Sequence, residues 1–212
     1  DPARCVSTHP AVAEAMIRYL QTRGAEVFVG DSPAFHTSKF RGDKCGIYQV
    51  CEKTGATWVN FLESPVERKI NGRSIRIASI VDRVDLIISL PKFKNHELMY
   101  FTGAIKNTYG LIPGFTKALQ HGIYNDRNSF GKFLVELSEA VTPHYFLMDA
   151  IMGMEGQGPG TKGRPVHIGL LLGSTNPLAL DITASRIAGY NPVLLPSNMI
   201  ALARGTDRKS VV

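Results

Sequence analysis

Cysteine is scarce in this chain: Cys5, Cys45 and Cys51 are the only three in 212 residues. They form no CxxC pair and no zinc spacing, and an iron–sulfur cluster usually takes four thiolates. No iron–sulfur cluster is therefore expected within the chain, and its thiols read as buried. No apolar run is long enough to span a bilayer and no signal peptide opens the sequence, so no membrane role is expected and a cytoplasmic location is the default. The start, Asp1-Pro2-Ala3-Arg4, lacks an initiator Met, which suits a processed chain or a fragment of a longer protein. Charge of one sign is not concentrated either. Lys and Arg number 24 against 18 acids, a net +6 with a pI near 9.3, yet the basic residues are scattered. That surplus favours anionic partners, whereas nucleic-acid binding wants a contiguous basic and aromatic stripe and is not expected. The phosphate loop GxxxxGK[ST] and the dinucleotide fingerprint GxGxxG are absent, and His9, His36, His121, His144 and His167 show no HxxxH spacing.

What is present is the balance of an ordinary globular protein, 44% hydrophobic and 20% charged, long enough for one core. A single α/β domain over residues 1–212 is expected. Residues 10–23 read as an amphipathic helix, with Pro10 at its first position and Gly24 at its stop. Residues 25–29 read as a buried strand ending in Gly30-Asp31-Ser32-Pro33. A helix around 38–54 carries Cys45 and Cys51, Gly55 ends it, and a strand follows over 57–61. This rhythm predicts a mixed, mostly parallel sheet flanked by helices. Asn71-Gly72, between two runs of alternating polarity, predicts an inserted β-hairpin near residues 66–77. Further strands are predicted over 84–90, 145–148 and 166–172, the first buried and the last fully apolar, with one or two helices over about 115–141. A last helix runs from Asn176-Pro177 to about Ala188. Gly153 to Gly160 reads as a Gly-rich loop, and no internal repeat is found.

Ligands of open α/β sheets bind beyond the carboxyl ends of the strands, where loops and helix amino termini converge. Asp31, Lys92 with Lys94 and His96, Asp149 with Glu155, and Ser174 with Asn176 fall there in this reading. Lys92, Lys94 and His96 are spaced by two, so an extended segment points them the same way. Two ammonium groups and an imidazole on one side would hold a carboxylate or phosphate and lower one another's proton affinity. The plain alternative is a solvated loop. In Thr102 to Gly110, Gly103 allows close backbone approach, Lys106 adds a cation and Asn107 both donates and accepts; a helix amino terminus with incidental polar residues fits equally. The Gly-rich loop would wrap a phosphate or metal with backbone groups, or act as a lid or a tight connection. Asp149 is a metal ligand or base, or else a cap. Asp181 sits among apolar helix residues, so it either faces out or meets a cation such as Lys106 or Arg186.

Several of these blocks resemble the Domain of Unknown Function 362 family. They are Thr8-His9-Pro10-Ala11-Val12, Val29-Gly30-Asp31-Ser32-Pro33, Leu90 to His96 running on to Thr102 through Asn107, Asp149 to Pro159, and Ala179 to Ala184. The resemblance covers residues 8–190 and places Asp31, Lys92, Lys94, His96, Lys106, Asn107, Asp149, Glu155 and Asp181 inside the family's motifs. Members are often linked to ferredoxin-like iron–sulfur modules, which implies redox chemistry nearby and a ferredoxin-like domain or protein as a partner. This chain lacks the cysteine-rich segment and starts after the family's usual first strand, so any cluster would belong to another part or partner. The run from Ile88 to Pro113-Gly114 is also similar to the amino-terminal domain of nickel-pincer lactate racemases; that similarity implies an acid/base role for His96 and an anchoring role for Lys106.

The leading expectation is an enzyme or enzyme domain acting on a small anionic substrate. His96, Glu155 and Lys106 are the candidates for moving a proton. Lys92, Lys94, Asn107, Gly103, Gly156 and Gly158 are the candidates for holding the substrate, and Asp31 and Asp149 for orienting it or binding a divalent metal. The alternative is a non-catalytic module that docks a ferredoxin-like or other acidic protein through its positive surface.

Overall fold

The first helix, α1 (Pro10–Thr22), begins at a proline whose missing amide would have gone unbonded anyway, and His9 Nδ1 accepts the Ala11 amide at 3.2 Å. In this computed structural model the described residues are 2–32, 38–158 and 162–205. Pro33, His36, Pro159 and Gly160, named above, lie outside them. α1 buries Val12, Ala13 and Ile17. Ile17 packs with Val50, Cys51 and Ala56 under a small parallel sheet of β1 (Phe28–Asp31) and β2 (Thr57–Asn60).

The segment between these strands is two helices rather than one around 38–54. α2 (Ser38–Cys45) stops at Gly46, whose left-handed φ of 83° breaks the ladder, and α3 (Ile47–Thr54) starts afresh. Cys45 and Cys51 therefore sit on different helices. The Asn71-Gly72 hairpin forms as predicted, from β3 (Val66–Ile70) and β4 (Arg73–Ile77), with both turn residues at positive φ. It makes a sheet of its own and turns Ile70, Ile75 and Ile77 into the main core.

The principal sheet is built around β8 (Tyr145–Gly156). β5 (Ile88–Ser89) and β6 (Lys92–His96) follow one another along it, both parallel, with Ile88 opposite Tyr145 and Lys92 opposite Asp149. β7 (Tyr100–Thr102) runs antiparallel outside β6. β9 (Gly163–Ser174) runs antiparallel to β8 for its whole length. Two expectations are corrected here. The strand over 84–90 shrinks to β5, and Leu86 is 61% exposed. The Gly-rich segment is strand through Gly156, because cross-strand pairing with β9 continues past Asp149. The apolar run 166–172 falls within β9, which leaves Leu170 and Leu171 exposed; an apolar run does not by itself say which of its faces is covered.

Helices α4 (Ala104–Asn107), α5 (Gly114–Ile123), α6 (Arg127–Val141), α7 (Pro177–Ile187) and α8 (Pro196–Ala203) complete the layers. α6 supplies Phe130, Phe133, Leu134 and Leu137 to the main core; α7 supplies Leu180 and Ala184 to a second core with Phe93, Phe101 and Phe146. The architecture is mixed α/β, with helices flanking the sheets.

Candidate functional site

β6 alternates, and its two faces meet different surroundings. Phe93 and Asn95 face a shallow pocket of about 290 Å³ shared with Phe101, Met154 and Tyr190. Lys92, Lys94 and His96 take the other side. Lys92 is 4% exposed and its Nζ lies 2.6 Å from Oδ2 of Asp149, which is wholly buried. The same carboxylate accepts the His9 amide at 2.8 Å and the Ile151 amide at 3.2 Å. These two expected site residues thus form a satisfied ion pair tying β6 and β8 to the start of α1. Among the described residues, no three His, Cys, Asp or Glu side chains gather as metal ligands.

Lys94 reaches past that pair, and its Nζ donates to Val6 O at 2.6 Å. Burial lowers its pKa to about 8; Lys92 pushes the same way and Asp31 opposes. Lys106 arrives from α4, whose start is fixed by Asp181. That carboxylate, 3% exposed, accepts the Ala104 amide at 2.5 Å and the Ile105 amide at 3.1 Å. Asp181 therefore neither faces out nor meets Lys106 or Arg186. Burial raises its pKa to about 7 against the pull of the two amides. Gly103 is required here, because any side chain would collide with the Asp181 carboxylate.

Lys106 Nζ lies 5.9 Å from the centre of the Tyr109 ring and makes no hydrogen bond or ion pair among the described residues. Burial, then Lys94 and Lys117, lower its pKa to about 7. Lys117, on α5, lies the same 5.9 Å from that ring and its Nζ donates to Ser32 O. Its proton affinity is lowered by burial and partly restored by Asp31. Ser32 Oγ also accepts the Gly114 amide at 2.7 Å, so the carboxyl end of β1 is tied to the start of α5. Lys94, Lys106 and Lys117 thus form one cluster through their charges, Lys106 feeling both of the others, with Asp31 the carboxylate that acts on Lys94 and Lys117.

His96 joins this cluster in a defined state. Its Nδ1 accepts the Leu98 and Met99 amides, each at 3.2 Å, so the neutral ring carries its proton on Nε2. The turn that aims those amides holds Tyr100 at a left-handed φ of 64°. Burial first, then Lys106, Lys94 and His121, drive the His96 pKa far below the usual histidine range. Thr102 lies directly opposite Lys94 in the β6–β7 ladder, hence on the same face, and its buried Oγ1 has no hydrogen-bond partner among the described residues.

The remaining expected residues make other contacts. Asn107 Nδ2 donates to Ser89 Oγ at 2.8 Å. Glu155 is exposed and paired with Arg164 at 2.9 Å across the β8–β9 hairpin. Gly156 O accepts from Asn95, and a side chain at Gly158 would strike Asn95, which places both glycines beside the shallow pocket. Sequence reasoning passed over Lys117 and read His121 as structural or exposed. Their spacing of four on α5, which puts both on one helical face, was the signal available.

The chain matches the family model described as "Domain of unknown function (DUF362)" over residues 1–186. It is 32% identical over 198 residues to the "Thylakoid-associated protein sll1697" of Synechocystis sp. (strain ATCC 27184 / PCC 6803 / Kazusa). That alignment covers 92% of this chain and 61% of the relative, so the chain spans less than two thirds of that protein. No helix among the described residues is long and apolar enough to cross a membrane. The chain belongs to the DUF362 family.

Proposed function

We propose that this DUF362 domain is an enzyme domain whose cleft binds a small carboxylate or phosphate. The observation that carries the reading is the clustering of Lys94, Lys106 and Lys117, the last two each 5.9 Å from the Tyr109 ring, with Asp31 as the opposing charge. Burying ammonium groups together is unfavourable, and an anion seated among them relieves both their repulsion and their desolvation. Lys94 and Lys117 each spend one N–H on a backbone carbonyl, which leaves two apiece for a ligand. Lys106, with a pKa of about 7, exchanges a proton near neutrality. His96 is a fixed Nε2–H donor rather than a base, suited to a negative charge that develops on the substrate. A module docking an acidic partner would spread its lysines over a flat face; here they are drawn inward, which favours the small-molecule reading.

The test is a thermal-shift screen against acetate, propionate, phosphate and phosphorylated metabolites, with Lys94→Met and Lys117→Met beside the native chain. A bound anion at ~100 times its Kd adds about 2.7 kcal/mol of stability. The native chain is expected to shift and the variants to shift less or not at all. A native chain unmoved by every anion at low salt would overturn the reading.

A further inference from the structure

We infer that the anion is a 2-oxo acid and that Lys106 Nζ condenses with its carbonyl carbon, its carboxylate lying between Lys94 and Lys117. This rests on the anion-binding reading above and narrows it to one chemical class. The lysines of the cleft are not equivalent. Lys94 Nζ is held by Val6 O and Lys117 Nζ by Ser32 O, whereas Lys106 Nζ has no acceptor among the described residues. Its neighbours include the Lys94 and Lys117 ammonium groups and the Tyr109 ring, and no acceptor among the described residues holds its protons. An amine flanked by fixed cations and held partly out of water is the arrangement that makes a lysine nucleophilic, and its pKa of about 7 agrees.

Two groups at the cleft are placed to serve a carbonyl oxygen. One is the His96 Nε2–H, whose tautomer is set by the Leu98 and Met99 amides. The other is the Oγ1 of buried Thr102, without a hydrogen-bond partner among the described residues and on the same sheet face as Lys94. The step balances without an oxidant. The neutral amine adds to the carbonyl, its proton passes to the oxygen as the C–N bond forms, and loss of water from the carbinolamine leaves the imine.

The experiment treats the full chain with pyruvate, 2-oxobutyrate or 2-oxoglutarate, reduces it with sodium borohydride, and maps the adduct by peptide mass spectrometry. Propionate, which has the carboxylate but no reactive carbonyl, is tested beside it for a shift in melting temperature. Labelling should fall on Lys106 at least about tenfold above any surface lysine, since ordinary lysines are protonated at pH 7. Excess propionate should suppress it, and Lys106→Arg should abolish it. Labelling that is absent or spread over surface lysines, while propionate still shifts the melting temperature, overturns the imine and leaves the anion site standing. Absence of both overturns the imine together with the reading beneath it.

Discussion

Lys92 and Lys106 are both lysines drawn into the protein from neighbouring elements, yet their surroundings differ in kind. Lys92 meets a carboxylate 2.6 Å away that is itself held by two backbone amides. Lys106 meets two more lysines and an aromatic ring. Asp149 and Asp181 repeat the contrast from the acidic side: one neutralises a buried cation, the other anchors the backbone of the helix that carries Lys106. Burial of charge alone does not mark a site. What separates structure from function here is whether the buried charge already has its partner. A satisfied pair holds elements together, whereas a cluster of like charges is what the proposed anion would relieve.

The sharpest way to break this comparison is to take the partner from Lys92. Asp149→Ala leaves a 4%-exposed ammonium without its carboxylate, and removing one member of a buried pair costs roughly 3–5 kcal/mol. Chemical denaturation should show that loss. A change under ~1 kcal/mol, the range of exposed pairs, would mean that the pair is not the anchor assigned to it.

How much of this was legible in the sequence follows the range of each interaction. Asn71-Gly72 and the His9-Pro10 helix start are local chemistry, and both stood where expected. The side-by-side placement of Lys94 and His96 was legible from strand period. The state of His96 was not, because it depends on two amides aimed by a turn with Tyr100 at positive φ. The Lys92–Asp149 pair joins positions 57 residues apart and the Asp181 anchor joins positions 77 apart, so no window of sequence contains either. The extension of β8 through the Gly-rich segment was hidden for the same reason: pairing with β9, rather than local propensity, makes those glycines strand.

The same comparison predicts that replacing Lys106 acts in the opposite direction from Asp149→Ala. Its folded pKa of about 7 lies below the ordinary lysine value of 10.5, so the unfolded chain binds the extra proton between them. The favourable contribution of the neutral amine is complete above pH 10.5 and is lost as pH falls through 7. Lys106→Met should therefore raise the denaturation midpoint at pH 7 and remove part of the native chain's gain in stability between pH 7 and 10.5. Lys94, at about 8, supplies a further part that survives in this variant. Denaturation curves across that range decide it. A variant less stable than the native chain at pH 7, with an unchanged pH slope, would put Lys106 in the same class as Lys92.

The smallest effect belongs to Glu155, which sequence reasoning grouped with the cleft and the fold places in the β8–β9 hairpin, against Arg164 at 2.9 Å. Both partners are well exposed, at 49% and 78% of their side chains, and water screens such a pair. Glu155→Gln should change stability by less than ~0.5 kcal/mol. It should also leave anion-induced stabilisation intact, because the residue lies on the hairpin beside Asn95, on the other face of β6 from Lys94. The thermal-shift screen run on this variant checks both points at once. If Glu155→Gln weakens anion binding as much as Lys94→Met does, the ligand reaches around the sheet edge and the cleft extends into the hairpin.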